Sequence, residues 1–334
     1  MKIIVPMAGR GSRLRPHTLT VPKPLIPIAG KPIVQRLVED ISNVCNEKVD
    51  EIAFIIGDFG KEVETNLISI AESLGARGSI YFQEEALGTA HAILCAKESL
   101  KGNIVVAFAD TLFKADFKLD NSSDGIIWVK QIENPSAFGV VKLNSTGEIT
   151  DFVEKPDTYV SNLAIIGIYY FKSGEQLCNE LEYLIDNDIK EKGEYQLTNA
   201  LENMKNKGVV FRPGEVKEWL DCGNKNVTVA TNKKVLELNN EFLENNTSAS
   251  LTNSIVIPPC YIGDNVELSS SVIGPFVSIG DNTKITNCVI NNSLIQENST
   301  IKSAVLSNSM IGNNTSYIGK EIDLSIGDFT EIKV

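Results

Sequence analysis

Histidine is nearly absent from this 334-residue chain: only His17 and His91 occur, and none follows His91. Chemistry that needs a histidine base, or a group of imidazole metal ligands, in the later part of the sequence therefore has nothing to work with. The six cysteines (45, 95, 178, 222, 260 and 288) lie far apart, with no Cys-x-x-Cys pair. Zinc and redox motifs are unsupported, and reduced thiols in a cytoplasm are the better reading. No apolar run approaches the ~18 residues that a membrane span requires. The apolar start, Met1 to Met7, is closed at once by Gly9-Arg10-Gly11 and reads as a buried strand, not a signal peptide. Negative charge is missing from the opening of the chain. The net charge is −12, yet Met1 to Lys31 carries Lys2, Arg10, Arg13, Arg15, Lys23 and Lys31 and no carboxylate, the first being Glu39. The overall sign disfavours attraction to nucleic acid or an anionic membrane, so these cations serve a local ligand.

What is present at that end is an apolar strand, a Gly9-x-Gly11 turn, spaced cations, and Pro22-Lys23-Pro24-Leu25. Glycine lacks Cβ and tolerates positive φ, so backbone N–H groups in such a turn can approach phosphate oxygens closely. The segment reads as a phosphate-binding mouth. A dinucleotide fingerprint would need a third glycine where Leu14 stands. A Walker A loop would need Gly-Lys-Ser/Thr, and the nearest following lysine is Lys23, well beyond the turn.

A third design fits. Gly9-Arg-Gly-Ser-Arg-Leu-Arg-Pro-His-Thr18, Pro22 through Leu25, and Gly30-Lys31-Pro32 resemble the opening of the sugar-nucleotide pyrophosphorylases. These are sugar-1-phosphate nucleotidyltransferases, which join a sugar-1-phosphate to a nucleoside triphosphate. The resemblance continues in order through Gln83 to Ala92, Asp110 after Ile104 to Phe108, Phe138 to Val141, and Glu154-Lys155-Pro156. It extends through Ser161-Asn162 to Tyr169, Gly193 to Gln196, and Trp219 to Gly223. It implies that Ala8, Gly9, Gly11, Ser12, Arg13, Gln83, Gly88 and Thr89 bind nucleotide, and that Gly139, Glu154, Lys155 and Asn162 bind the sugar phosphate. Arg13, Lys23 and Asp110 would be catalytic, with Asp110 and Asp221 holding Mg²⁺, a hard cation suited to carboxylate and phosphate oxygens.

The reaction so implied is attack of a sugar-phosphate oxygen on the α-phosphorus of the triphosphate, with pyrophosphate released. It needs alignment and charge neutralisation more than covalent help, and the anionic nucleophile needs no base. Gln83 carries a donor and an acceptor that match O4 and N3–H of thymine or uracil, which favours a pyrimidine; the resemblance, nearest to thymidylyltransferases, implies dTTP first and UTP next. The segment from Ser161 to Tyr169 looks most like the glucose-1-phosphate enzymes, with N-acetylglucosamine-1-phosphate as the other candidate sugar. Ala86 stands where many relatives carry proline. Competing readings are a bifunctional enzyme that also transfers acyl groups, which usually needs a histidine in or beside the repeats, and a non-catalytic regulatory homologue.

Length favours two domains. Short apolar runs at Ile3–Val5, Ile52–Ile56, Ile80–Phe82, Ile104–Phe108 and Ile126–Val129 alternate with helical patterns. One such helix opens at Pro32 with Ile33, Leu37, Ile41 and Val44 on one face. The alternation predicts an α/β, Rossmann-like, mostly parallel sheet over 1–238, with ligands beyond the carboxyl ends of its strands. A polar linker over 239–250 follows. From 251 to 334 the pattern changes: Ile257, Ile262, Leu268, Ile273, Ile279, Ile285, Ile290, Ile295, Ile301, Leu306 and Ile311 recur every five or six residues among Gly, Asn, Ser, Thr and Asp. This internal repeat resembles the short left-handed parallel β-helix of hexapeptide-repeat proteins, and predicts a homo-oligomer.

Overall fold

The computed structural model describes residues 1–9, 11–45, 47–115, 118–238 and 248–320. The chain divides into two units: Met1–Ile26 with Lys31–Val227, and Pro27–Gly30 with the chain from Thr228 onward. This division falls ahead of the 239–250 stretch expected as a linker, of which residues 239–247 lie outside the described residues.

In the first unit the strands are β1 (Lys2–Pro6), β2 (Glu51–Ile56), β3 (Arg77–Phe82), β4 (Ile104–Ala107), β5 (Thr111–Lys114) and β6 (Gly125–Gln131). β7 (Val140–Leu143), β8 (Ile149–Val153), β9 (Leu163–Phe171), β10 (Phe211–Glu215) and β11 (Glu218–Asp221) follow. The main sheet has nine strands in the order β8-β7-β9-β4-β1-β2-β3, with β6 pairing both β9 and β10. β4, β1, β2 and β3 run parallel; the apolar runs of β1, β2 and β4 are those of strands buried on both faces, whereas β3 is the half-exposed edge strand. The sheet turns antiparallel at β9, which pairs β4, β6 and β7 in that sense. The expected mostly parallel sheet is therefore parallel over its nucleotide-motif half and mixed beyond it.

Helices α1 (Ile33–Val44), α2 (Lys61–Ser73), α3 (Thr89–Leu94), α4 (Gly174–Asp186), α5 (Leu197–Asn206) and α6 (Lys225–Leu238) complete the count needed here. α1 buries Ile33, Leu37, Ile41 and Val44, as its spacing predicts, with Pro32 at the N-cap. None of the described helices is long and apolar enough to cross a membrane.

The second unit stacks short strands into three parallel sheets, forming the left-handed β-helix. One sheet runs Ser250–Thr252, Glu267–Ser269, Lys284–Thr286, Thr300–Lys302 and Ser316–Ile318, so each coil takes 16 or 17 residues. The five-to-six-residue period is thus one inward side chain for each of three faces. Leu268, Ile273, Ile279, Ile285, Ile290, Ile295 and Ile301 fill the interior. Ile257, read into the same series, is 41% exposed. The asparagine that recurs three residues after Ile262, Ile279, Ile295 and Ile311 has a backbone cause: Asn265, Asn282, Asn298 and Asn314 turn the chain at φ 54–55°, where asparagine is tolerated. The same unit includes Asn232 of α6, whose buried Oδ1 accepts hydrogen bonds from Ala29 N–H (3.0 Å) and Ser278 Oγ (2.7 Å).

Candidate active site

Parallel pairing in register decides where the motifs meet. β4 pairs β1 from Lys2↔Ile104, and β1 pairs β2, which pairs β3. Their carboxyl ends share one edge of the sheet. The Gly9 loop leaves β1 there, Asp110 follows β4, and Gln83 follows β3 directly. All three line a single cavity of about 450 Å³, a size that suits a small-molecule site. Its wall includes Ala8, Gly9, Gly11, Ser12, Arg13, Lys23, Gln83, Gly88, Thr89 and Asp110, which are the expected nucleotide and catalytic residues of this half.

The glycine loop is built around Lys23. Gly11 has φ 64°, and a Cβ there would lie 2.7 Å from Lys23 Cβ, so both the backbone angle and the lysine stem require glycine. Thr18 Oγ1 donates to Gly11 C=O at 2.8 Å and closes the loop, while Leu14 is fully buried beneath it. At Gly9 a Cβ would meet no protein atom within 4 Å. Lys23 is buried between Pro22 and Pro24, and its Nζ reaches Asp110 Oδ2 at 3.0 Å. Arg13 is exposed at the mouth.

Asp221 arrives by a separate ribbon. β5 and β11 form a two-stranded antiparallel sheet with Thr111 opposite Asp221, and Cys222 N–H donates to Asp110 C=O at 3.1 Å. The two aspartates therefore stand beside each other. Burial, and then the negative charge of Asp110, push the Asp221 carboxyl above its ordinary value, while Lys23, the Gly223 N–H and Arg13 oppose the shift. That N–H donates to Asp221 Oδ1 at 2.8 Å, and a Cβ at Gly223 would come within 3.0 Å of Oδ2. Two like-charged carboxylates held together are a site that a cation would relieve. Among the described residues, no three His, Cys, Asp or Glu side chains gather at one point. The donor set thus fits a hard cation that takes its remaining oxygens from ligand and water.

The four sugar-phosphate candidates form a second group near the ends of β7, β8 and β9, and are not part of the cavity wall. Lys155 N–H donates to Phe138 C=O at 3.2 Å, and Ile165 N–H donates to Gly139 C=O at 2.8 Å. A Cβ at Gly139 would lie 3.0 Å from Glu154 Oε2. Lys155 has φ 41°, unusual for a lysine, and its Nζ lies 3.6 Å from Glu154 Oε1. Burial raises the Glu154 carboxyl above its ordinary value, against the pull of Lys155 and with help from Glu191. Asn162 is half-buried just before β9, its carbonyl taking the Ile132 N–H at 3.0 Å.

The segment Glu191–Gln196 joins the two groups. Lys192 Nζ donates to Lys155 C=O at 3.2 Å, whereas Glu194 lines the cavity. Gln196 Nε2 donates to Glu194 Oε2 at 3.1 Å, and Thr89 Oγ1 donates to Gln196 Oε1 at 3.3 Å while accepting Leu197 N–H at 2.9 Å. Glu194 stands in the Gly193 to Gln196 motif, whose pattern alone assigns it no role. The missing signal was spatial, because nothing in the spacing says that this segment braces the Gly88 turn.

The nucleotidyl transferase family matches residues 2–237. Over 246 residues the chain is 32% identical to the low-salt glycan biosynthesis nucleotidyltransferase Agl11 of Haloferax volcanii, covering 71% of this chain and 66% of that protein. It is 32% identical over 269 residues to the bifunctional protein GlmU of Methanococcus vannielii, covering 77% of this chain and 59% of that one. The chain thus spans roughly three fifths to two thirds of these relatives' length. A crystal structure of UDP-glucose pyrophosphorylase complexed with UDP-glucose superposes with a TM-score of 0.58 at 24% identity, covering 71% of this chain and 98% of that one, a likeness of fold. With the family match running unbroken from β1 into α6, across the glycine loop, Gln83, Asp110 and Asp221, the chain belongs to the nucleotidyl transferase family.

Proposed function

We propose that this protein is a sugar-1-phosphate nucleotidyltransferase, joining dTTP, or next UTP, to glucose-1-phosphate and releasing pyrophosphate. One observation carries the reading: the Gly9–Arg13 loop, the Lys23–Asp110 pair and Gln83 converge on one cavity at the carboxyl edge of the parallel strands. In the reaction, an oxygen of the sugar phosphate forms a bond to the α-phosphorus while the bond to the pyrophosphate oxygen breaks. The nucleophile is already anionic, so no side chain must take a proton. Alignment and charge neutralisation remain.

Each task has a residue. The loop N–H groups and Arg13 would cradle the triphosphate, the guanidinium gripping phosphate in two directions. Lys23, fixed by its prolines, would neutralise charge that develops at the α-phosphate. Asp110 and Asp221 would hold Mg²⁺, which, when bound, neutralises phosphate charge and fixes phosphate geometry. Glu154 would accept hydrogen bonds from the sugar hydroxyls, Lys155 would hold the sugar phosphate, and Gly139 and Asn162 would complete that wall. Cytoplasm is the proposed location, where the scattered cysteines stay reduced.

We further propose that copies of the chain associate through the β-helix. One sheet carries an outward ladder, Ile255–Val272–Val289–Val305, in direct register. Ile255, Val289 and Val305 are exposed. An uncharged aliphatic face of this kind is complementary to itself, which suits a symmetric contact between identical chains.

The test is pyrophosphate release by purified protein with Mg²⁺ across four nucleoside triphosphates and three sugar-1-phosphates. Release with dTTP or UTP and glucose-1-phosphate is expected. Preference for UTP with N-acetylglucosamine-1-phosphate would reassign the substrates within the same chemistry. Nucleotide binding without release from any pair would overturn the enzymatic reading in favour of a regulatory homologue.

A further inference from the structure

Gln83 forms part of the cavity wall, while His91, on α3 (Thr89–Leu94), is not among its lining residues. The Gln83 side-chain nitrogen Nε2 lies 3.3 Å from Gly88 C=O and 3.2 Å from His91 Nδ1. The carbonyl decides which way the amide points, since a carbonyl only accepts and must face the NH₂ side. Its position is itself fixed: Gly88 has φ 112°, a Cβ there would strike Tyr195 C=O at 2.5 Å, and the same carbonyl takes Ala92 N–H at 3.1 Å. With one amide hydrogen on Gly88, the second meets Nδ1. That nitrogen must be bare to accept it, which makes His91 the neutral, Nε2-protonated tautomer. Both amide hydrogens are then engaged within the protein, and the polar atom Gln83 can still offer a ligand is the acceptor Oε1.

We propose that His91 is a specificity-determining positioning residue: by accepting a Gln83 amide hydrogen at Nδ1, it keeps Oε1 as the group presented to the nucleobase. The cavity then favours a base with a ring N–H, such as N3–H of uracil or thymine, over one with a bare ring nitrogen, such as N3 of cytosine. This revises the expectation that Gln83 supplies a donor and an acceptor together, because its donor is already engaged. The inference rests on the reading that the cavity binds a nucleotide. Without His91 the amide is held by one bond and can turn its NH₂ toward cytosine N3, at which point the two bases cease to be told apart.

The experiment compares kcat/KM for UTP and CTP in the wild type, His91→Leu and His91→Asn, beside ring ¹⁵N chemical shifts of the wild type, with His17→Gln to assign the signals. Asparagine can place Oδ1 near the former Nδ1. His91→Leu should lower the UTP/CTP ratio by about tenfold or more, the worth of a base-edge contact, mostly through a higher KM for UTP. His91→Asn should hold the ratio within about threefold of wild type, since it restores the acceptor. The ¹⁵N shifts should report His91 protonated at Nε2, a reading that needs no variant to fold. An unchanged ratio in His91→Leu, equal collapse in both variants, or an Nδ1-protonated His91 would each overturn the proposal. Failure of the wild type to release pyrophosphate from any triphosphate would instead strike the transferase reading, while the tautomer would still decide the role of His91.

Discussion

Lys23 Nζ sits 3.0 Å from Asp110 Oδ2, yet the lysine side chain is 7% exposed and the aspartate 45%. The cation is fixed by its surroundings, whereas the carboxylate stands in the open cavity and can turn to another partner. Lys23→Met keeps the apolar stem against Gly11 and removes only the charge. Turnover should fall by roughly 10²–10³, the usual loss for one preorganised electrostatic contact, with a much smaller change in KM. Initial rates of pyrophosphate release check this. A variant that lost only triphosphate affinity and kept its maximal rate would remove Lys23 from the transition state.

Asp221 offers a test in which function and stability move in opposite directions. Burial and Asp110 raise its carboxyl in the folded protein, so between the unfolded and folded pKa values the native state binds the extra proton. Stability then falls as pH rises through that window, and at neutral pH the ionised group opposes folding. Asp221→Asn should raise Tm at pH 7, should give no advantage at pH values below the ordinary aspartate range, and should nearly abolish turnover. Added Mg²⁺ should raise the Tm of the wild type but not of the variant. Thermal melts against pH, with and without Mg²⁺, measure all of this. A lower Tm for Asp221→Asn at pH 7 would contradict the sign. At limiting Mg²⁺ the activity of the wild type should decline on its acid side at a higher pH than an ordinary aspartate would give, and saturating Mg²⁺ should move that limb down, because a bound cation favours the ionised carboxylate.

The sheet and its ligand edge were readable because strand-forming runs and glycine turns are local signals, and parallel strands put every carboxyl end on one side. The coil repeat was readable because each inward side chain recurs at a fixed interval. What could not be read was long-range. The antiparallel turn of the sheet at β9 depends on pairing partners that the Leu163–Phe171 run does not name. Glu194 and the His91–Gln83 contact depend on a turn packed against a segment about a hundred residues away. Gly30 looked like part of the nucleotide motif, since Gly-Lys-Pro belongs to the resemblance. In the structure it lies under the ring of Tyr261, in the second unit.

That pairing of Gly30 with Tyr261 makes a quantitative prediction. A Cβ at Gly30 would lie 2.1 Å from Tyr261 Cζ, and φ there is 81°. Gly30→Ala should cost about 1–3 kcal/mol from overpacking, with about 1–2 kcal/mol more from the left-handed backbone angle. Tyr261→Ala removes the clash, so the double variant should be more stable than the two single losses predict when added. Chemical denaturation of the four proteins supplies the cycle. Strict additivity would mean that the ring does not press on the glycine.

The aliphatic ladder gives the last test. Val305 is 82% exposed and Val289 is 45% exposed, adjacent in register on one sheet of the β-helix. Isolated exposed valines need no explanation, but a row of β-branched side chains on consecutive coils is a surface that water disfavours. If two copies meet there, each valine that becomes fully covered contributes about 1.5 kcal/mol or more. Val289→Asp with Val305→Asp replaces that gain in both copies with desolvated, mutually repelling carboxylates. A loss of at least ~4 kcal/mol corresponds to roughly 10³-fold in Kd. Light scattering behind a sizing column should show the wild type as an oligomer at micromolar concentration and the double variant as a monomer. Its circular dichroism should be unchanged, because both side chains point away from the coil interior. Pyrophosphate release per chain should persist in the monomer, since every residue assigned to the chemistry lies in the first unit. A monomeric wild type, or a double variant of undiminished mass, would place the association elsewhere or remove it.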